Sequence, residues 1–334
     1  MFVFEPFEGT LDDWGAVLEQ FPDRQVFQTP AWIRFLMESQ SAEPALGVLR
    51  DGARTAGYFC GMIVRKLGFR ILGSPFIGWT TGQMGLRLFP DVPRRAAVEA
   101  LERFAFRRLG CIHLEMADPA VVPADLEGMH YQCRTTREPV VDLTRPEEEI
   151  YSGFSSKSCR YSIRKAVKMG VVVETASDAA FADDYYSQLC DVFAKHSLVP
   201  TYDRRRVELL MKHLLPTGNL LLLRAREPGG RCIATSIMPG MNKTAYFWGN
   251  ASWRDDQHFC PNELLSWYAM RYWKSRGVEA YCLGAGDYKR KYGGRIEQYH
   301  HFRKSRYRWL AAARDAALMV FQAKQRMLGW WRRP

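Results

Sequence analysis

Two hydrophobic periods take turns along this chain. Apolar residues recur at helical spacing over Trp14–Leu18, Ala31–Met37 and Arg94–Arg108, and in short strand-like runs over Leu46–Arg50, Gly57–Arg65 and Cys111–Met116. A break near Asp142–Pro146 follows, and the pattern then starts again. Helices are predicted over Tyr161–Lys168, Ala179–His196, Arg204–Leu214 and Asn262–Gly277. Strands are predicted over Val171–Glu174, Leu220–Arg226, Cys232–Pro239, Thr244–Gly249 and Val278–Leu283. Two α/β halves of similar order predict a duplicated module, with domains at 1–145 and 146–301 and a separate segment at 302–334. A length of 334 residues suits two domains, and 47% hydrophobic content is ample for two cores.

Charge changes the picture at the C-terminal end. From Tyr288 onward there are 13 Lys and Arg against Glu297 and Asp315, which accounts for the whole net charge of +11. The rest of the chain is neutral. The tail from Tyr307 to Pro334 reads as an amphipathic helix, with Leu310, Ala313, Ala317, Phe321 and Leu328 on one stripe and Arg314, Lys324 and Arg326 beside it. It closes on Trp330-Trp331-Arg332-Arg333. Two readings stay open for it: a helix packed on its own domain or a partner, and a basic helix lying in a membrane interface.

Several classes are disfavoured. The eight cysteines are scattered without a Cys-x-x-Cys pair, as expected for thiols in a reducing compartment. Seven histidines show no metal-ligand spacing, so no metal is expected. There is no Gly-x-Ser-x-Gly elbow and no phosphate-binding P-loop. The acidic start, MFVFEPFEGTLDDW, is unlike a secretory signal, and no apolar run approaches the ~18–20 residues that span a bilayer. The expectation is a cytoplasmic protein, with any membrane contact peripheral and at the inner face.

Two boxes carry candidate chemistry. In Ser155–Glu174, serines precede a run of helix formers closed by Gly170 and a β-branched strand. Arg160, Arg164 and Lys168 fall four apart on one face, with Lys157 near the helix start. The second box follows the predicted strand Val278–Leu283: Gly-Ala-Gly, then Asp287-Tyr288-Lys289-Arg290-Lys291-Tyr292-Gly293-Gly294. The glycines permit close backbone approach, and a lysine at the mouth of a strand can face a phosphate or an oxyanion.

Together with Gln25-Val26-Phe27-Gln28-Thr29-Pro30-Ala31-Trp32-Ile33-Arg34, these boxes resemble the FemAB-like group of the GNAT acyltransferase superfamily. That group includes peptidyltransferases that add amino acids to peptidoglycan precursors, and related acyltransferases of exopolysaccharide and envelope functions. The resemblance implies an α/β fold class with two tandem GNAT-like domains, each a mixed twisted sheet flanked by helices, plus the basic C-terminal helix. It also implies that the chain returns to the first domain near Phe302–Leu310. The usual GNAT donor loop, Arg/Gln-x-x-Gly-x-Gly/Ala, is missing. Phe259-Cys260-Pro261-Asn262-Glu263-Leu264-Leu265 stands in its place, with Pro261 and Asn262 suited to a helix start.

The resemblance further implies roles. Lys289 supplies electrostatic stabilisation and Tyr288 orients the reacting groups. Asp118, in an Asp-Pro pair after Glu115, is the candidate base, although a turn-initiating Asp-Pro reads as well. Arg34 aligns with a residue that contacts a nucleotide diphosphate, with Trp32 beside it. Tyr202, Arg204, Trp248 and His196 fall near an acceptor groove, as do Gly293 and Gly294, and Lys157, Arg160, Arg164 and Asn262 are donor-side candidates. The expected activity is transfer of an acyl group to an amine or hydroxyl of a sugar or peptide envelope precursor, UDP- or undecaprenyl-linked. The donor is an acyl-CoA (acetyl-CoA or longer), with aminoacyl-tRNA as the alternative and no tightly bound cofactor. A reading of another class is a non-catalytic nucleic-acid or nucleotide-binding module using the basic tail.

Overall fold

A computed structural model describes residues 1–195 and 197–307, so His196 and the predicted helix beyond Tyr307 lie outside the described residues. The chain forms two compact units, Met1–Thr136 joined by residues 298–307, and Arg137–Glu297.

In the first unit the chain runs β1 (Phe2–Pro6), α1 (Leu11–Leu18), α2 (Pro30–Gln40), β2 (Glu43–Asp51), β3 (Arg54–Lys66), β4 (Phe69–Ser74), β5 (Leu86–Leu88), α3 (Arg94–Arg103) and β6 (His113–Ala117). Local chemistry starts each early helix. Thr10 and Asp13 form a reciprocal capping box before α1, and Thr29 caps α2 ahead of Pro30. The sheet order β1-β2-β3-β4-β6 is antiparallel except for the parallel pair β4–β6, and β5 adds to β3. Phe4, Phe59, Leu101, Phe104, Leu114, Met116 and Phe302 form its core. The helix predicted over Arg94–Arg108 ends at Arg103, and Phe104–Arg108 widens into a π turn.

The strand β7 (Gln132–Asp142) crosses into the second unit. There the order is α4 (Glu147–Gly153), α5 (Tyr161–Lys168), β8 (Val172–Thr175), α6 (Phe181–Lys195), α7 (Arg204–Leu214), β9 (Leu220–Arg226), β10 (Cys232–Met241), β11 (Thr244–Tyr246), β12 (Gly249–Ser252), α8 (Pro261–Lys274), β13 (Ala280–Cys282) and β14 (Arg295–Ser305). Its sheet runs β7-β13-β11-β10-β9-β8, with β12 also on β10. Among the described residues of this sheet the pair β11–β13 is parallel and the other pairs are antiparallel. Alternate residues of β10 face different helices. Thr235 donates to Gln188 of α6 at 2.7 Å, while the absent Cβ of Gly240 faces Trp273 of α8. A sheet covered on both faces reads as continuous apolar sequence, which explains Leu220-Leu221-Leu222-Leu223. Each such leucine contributes roughly 1.5–3 kcal/mol on burial. After Glu297 β14 belongs to the first unit, and there it pairs with β6, from His301 opposite Ala117 to Ser305 opposite His113.

Candidate active site

The second unit's sheet splits open at one place. Parallel pairing of β11 with β13 covers three residue pairs, Thr244–Ala280 to Tyr246–Cys282, and ends where Phe247 N–H donates to the Cys282 carbonyl at 2.9 Å. The register on β10 then changes by one residue between Gly240·Ala245 and Ile237·Gly249. Trp248 and Gly249 both stand opposite Ile237, a bulge of the kind that re-aims a side chain. Beyond it β12 stays with β10. Leu283 turns the other way, its N–H donating to Pro139 of β7 at 3.1 Å.

The strands therefore part, and the carbonyl of Leu283 loses the strand partner it would have had. Lys289 takes that role, donating from Nζ to Leu283 O. Gly284 and Gly286, at φ +72° and +131°, turn the chain back, and Asp287–Tyr292 coils into a 3-10 helix that carries the lysine home. Tyr292 anchors the coil: it is buried, packs edge-on against Phe154 at 5.7 Å, and donates to Ser266 at 3.1 Å.

Lys289 is only 7% exposed, and its ammonium lies 4.5 Å from the centre of the Phe247 ring. Burial lowers its pKa to about 8, and the negative charge of Glu138 partly offsets that. Tyr288, by contrast, is 65% exposed. Gly293 and Gly294 serve the backbone. Gly293 has φ +68°, and an added Cβ would stand 2.2 Å from the carbonyl oxygen of Gly153. At Gly294 it would meet the backbone of Val140 at 2.9 Å.

The donor-side candidates gather near the same coil. Ser155 N–H donates to Lys291 O at 2.8 Å, tying the π turn Ser156–Arg160, which holds Lys157 and Arg160, to the late box. Arg164 follows on α5, exposed. Asn262 opens α8 and donates from its amide to Ser252 of β12 at 3.2 Å. That helix start is not an open anion cradle. Cys260 precedes it in the left-handed region, Pro261 has no N–H, and the Glu263 carboxylate occupies the first turn in an ion pair with Lys291.

On the opposite face of the split stand Trp248 and Tyr202, rings 6.1 Å apart. Tyr202 shares a hydroxyl contact of 3.0 Å with Tyr185, whose oxygen fits because Gly249 lacks a side chain. Arg206 lies 5.3 Å from the Tyr202 ring centre. The indole N–H of Trp248 is buried and has no acceptor among the described residues, an arrangement that costs about 1–3 kcal/mol unless a ligand or water fills it. Arg204 points away, latched to Asp183 and Glu208 on the surface. Tyr185, Arg206, Phe247 and Glu263 carry no sequence signal of their own. Only the bulge and the tertiary contacts bring them together, and no spacing marks that.

The remaining candidates belong to the first unit. Trp32 is fully buried, donating to Thr81 at 3.3 Å and packing edge-on against Phe27. Arg34 pairs with Asp12 at 2.6 Å on the surface. Asp118, considered as a base, is a backbone clamp in this geometry. One oxygen accepts from Leu86 N–H at 2.7 Å and the other from Ala120 N–H at 2.9 Å, with Arg94 3.7 Å away. Asp118→Ala leaves a buried N–H unmet and is expected to destabilise the first unit by about 2–3 kcal/mol. Urea denaturation checks this; an unchanged midpoint with turnover abolished would restore the catalytic role. Glu115, two strand positions from His113, contacts it at 3.2 Å. Among the described residues no cluster of His, Cys, Asp or Glu is suited to hold a metal ion, and no helix is long and apolar enough to cross a membrane.

Residues 154–292 match the family model described as an acetyltransferase (GNAT) domain, a stretch that holds the strand split, the box Ser155–Glu174 and the late box as far as Tyr292. No curated protein sequence matches the chain significantly. Among solved structures the fold is similar to FemX, with TM-score 0.70 and 12% identity over 89% of this chain and 96% of that one. It is also similar to a tandem GNAT protein from the clavulanic acid biosynthesis pathway (TM-score 0.58, 12% identity, 92% and 99% covered). A third likeness is to L-PGS from Bacillus licheniformis (TM-score 0.52, 9% identity, 88% and 94% covered). At such identities these likenesses speak for the tandem fold.

Proposed function

We propose that this chain, an acyltransferase of the GNAT superfamily with FemAB-like tandem architecture, moves an acyl group from a thioester donor to an amine or hydroxyl of a cell-envelope or exopolysaccharide precursor. The observation that carries the reading is Lys289, a buried cation held at the parting of β12 and β13. Acyl transfer creates a negative oxygen in its transition state, and a fixed cation in a dry cleft stabilises that charge without reorganising. The nucleophile's lone pair forms the new bond to the acyl carbon, the carbon–sulfur bond breaks, and the thiolate leaves with the proton that the nucleophile sheds. Trp248, Tyr202 and Tyr185 line the acceptor side, where the indole N–H donates to an oxygen of the acceptor. The FemAB-like motifs support an envelope precursor as that acceptor.

Thiol release from acetyl-CoA and octanoyl-CoA, measured against amino-sugar and nucleotide-sugar acceptors with mass detection of the acylated product, tests this. The expected result is acceptor-dependent thiol release and a product heavier by the acyl group. A second reading has its own support. The start of α8, closed by Pro261 and Glu263, offers little to a CoA pyrophosphate, which favours an aminoacyl-tRNA donor. Product formed only from aminoacyl-tRNA would replace the thioester reading with that one.

A further inference from the structure

The turn Ser156–Arg160 and helix α5 carry Lys157, Arg160, Arg164, Lys165 and Lys168, with no carboxylate among residues 156–168. Cys159, Ile163 and Ala166 are buried and fix this element to the second unit's core, which leaves Lys157, Arg164 and Lys168 exposed and Arg160 and Lys165 half-buried. None of the five forms an ion pair among the described residues. Several other arginines of the unit are latched: Arg204 to Asp183, Arg224 to Asp178 and Asp184, Arg226 to Glu174, Arg231 to Asp256 and Arg271 to Glu147. Exposed apolar side chains are interleaved with the free cations, Tyr161 at 54% and Val167 at 60%. Basic residues around an accessible aromatic and aliphatic centre have the composition of a protein-binding patch.

The patch adjoins the acyl-transfer site, because Ser155 N–H bonds Lys291 O and the π turn packs against the coil that carries Lys289. Beside it, the start of α8 is closed to a nucleotide pyrophosphate, as described above. We propose that this face docks an acidic helical carrier protein, whose phosphopantetheine thioester delivers the acyl group into the split between β12 and β13. The inference rests on the acyl-transfer reading and names the donor's carrier. Five cations without an ion pair among the described residues attract an acidic partner and steer its approach, and Tyr161 and Val167 supply the dry centre of the contact. An RNA phosphate backbone answers the charge but not the exposed valine. The helix, eight residues and so about 12 Å long, matches one partner helix better than a tRNA arm.

The test uses the full chain and a purified acyl carrier protein loaded with octanoyl-phosphopantetheine. Binding is read by fluorescence anisotropy of the labelled carrier, and transfer is compared between octanoyl-carrier and octanoyl-CoA. Expected are saturable binding that weakens with salt, at least a tenfold loss of affinity in Arg164→Glu/Lys168→Glu, and a higher kcat/KM from the carrier than from CoA. Both side chains are exposed, and an unchanged melting temperature confirms the fold of the variant. Carrier binding that is absent, or equal in wild type and variant, overturns the docking proposal; so does selective loss of tRNA binding in the variant with no carrier binding. Efficient transfer from octanoyl-CoA alone overturns the carrier while leaving acyl transfer standing. Transfer from neither thioester removes the underlying reading as well.

Discussion

Lys289→Ala is expected to lower acyl-transfer turnover by about 10²–10³-fold, the range measured when one preorganised oxyanion donor is removed. Two properties make this lysine the largest single lever. It is buried beside the strand split, where few waters screen it, and its donation to Leu283 O fixes where the charge stands. The pH profile carries the sharper signature. With its pKa lowered to about 8 by burial, the ammonium loses its proton as pH rises through about 8. Turnover that needs the cation falls across that limb. In Lys289→Arg the guanidinium stays charged throughout, so whatever activity remains is expected to lack the limb. A profile identical in the two proteins would assign the limb to another group.

The same shift has a consequence for stability. The folded-state pKa lies below the ordinary 10.5, so between about 8 and 10.5 the unfolded chain holds a proton that the folded chain has shed. Stability contributed by this group therefore rises with pH across that window, and the burial cost is fully present at pH 7. The lysine is held at its site by the backbone it caps, against its own hydration.

Gly293→Ala is expected to destabilise the second unit by about 3 kcal/mol or more, the sum of left-handed strain and a backbone that must move. The new Cβ would stand 2.2 Å from Gly153 O and 2.8 Å from its carbonyl carbon, and neither atom is the far end of a flexible side chain. For a unit of this size that loss corresponds to a melting temperature lower by about 6–12 °C. Thermal unfolding followed by circular dichroism measures it. A shift under one degree would mean that the coil does not lie against α4 as described. The glycine pair thus acts through the position of Lys289, since Gly293 ends the coil that carries the lysine.

Much of the fold is legible in the spacing of apolar residues. The helix Arg204–Leu214 and the strand Leu220–Arg226 have the bounds their patterns predict, because a buried face imposes its period on the sequence. The strand expected over Thr244–Gly249 is two strands, since the bulge at Trp248–Gly249 breaks the ladder without breaking the apolar run. Strands β1, β4, β5, β7 and β14 are absent from the sequence-based expectation. β7 and β14, with sequences QCRTTREPVVD and RIEQYHHFRKS, are polar along most of their length and carry no clear two-residue period. Their strand character comes from hydrogen bonds to neighbours such as β13 and β6, and such partners are distant in sequence.

By itself the sequence determined the alternation of helices and strands, the concentration of charge, and the two boxes whose glycines and cations mark a loop chemistry. Those properties are local: they depend on spacing along the chain and on what each residue's backbone permits. Only the tertiary structure decided what the residues do with one another. It set Lys289 on the carbonyl that a parted strand left open, spent both oxygens of Asp118 on backbone N–H groups, and left the indole N–H of Trp248 without an acceptor among the described residues. Burial and partner choice are properties of packing, and packing joins residues that no periodicity relates.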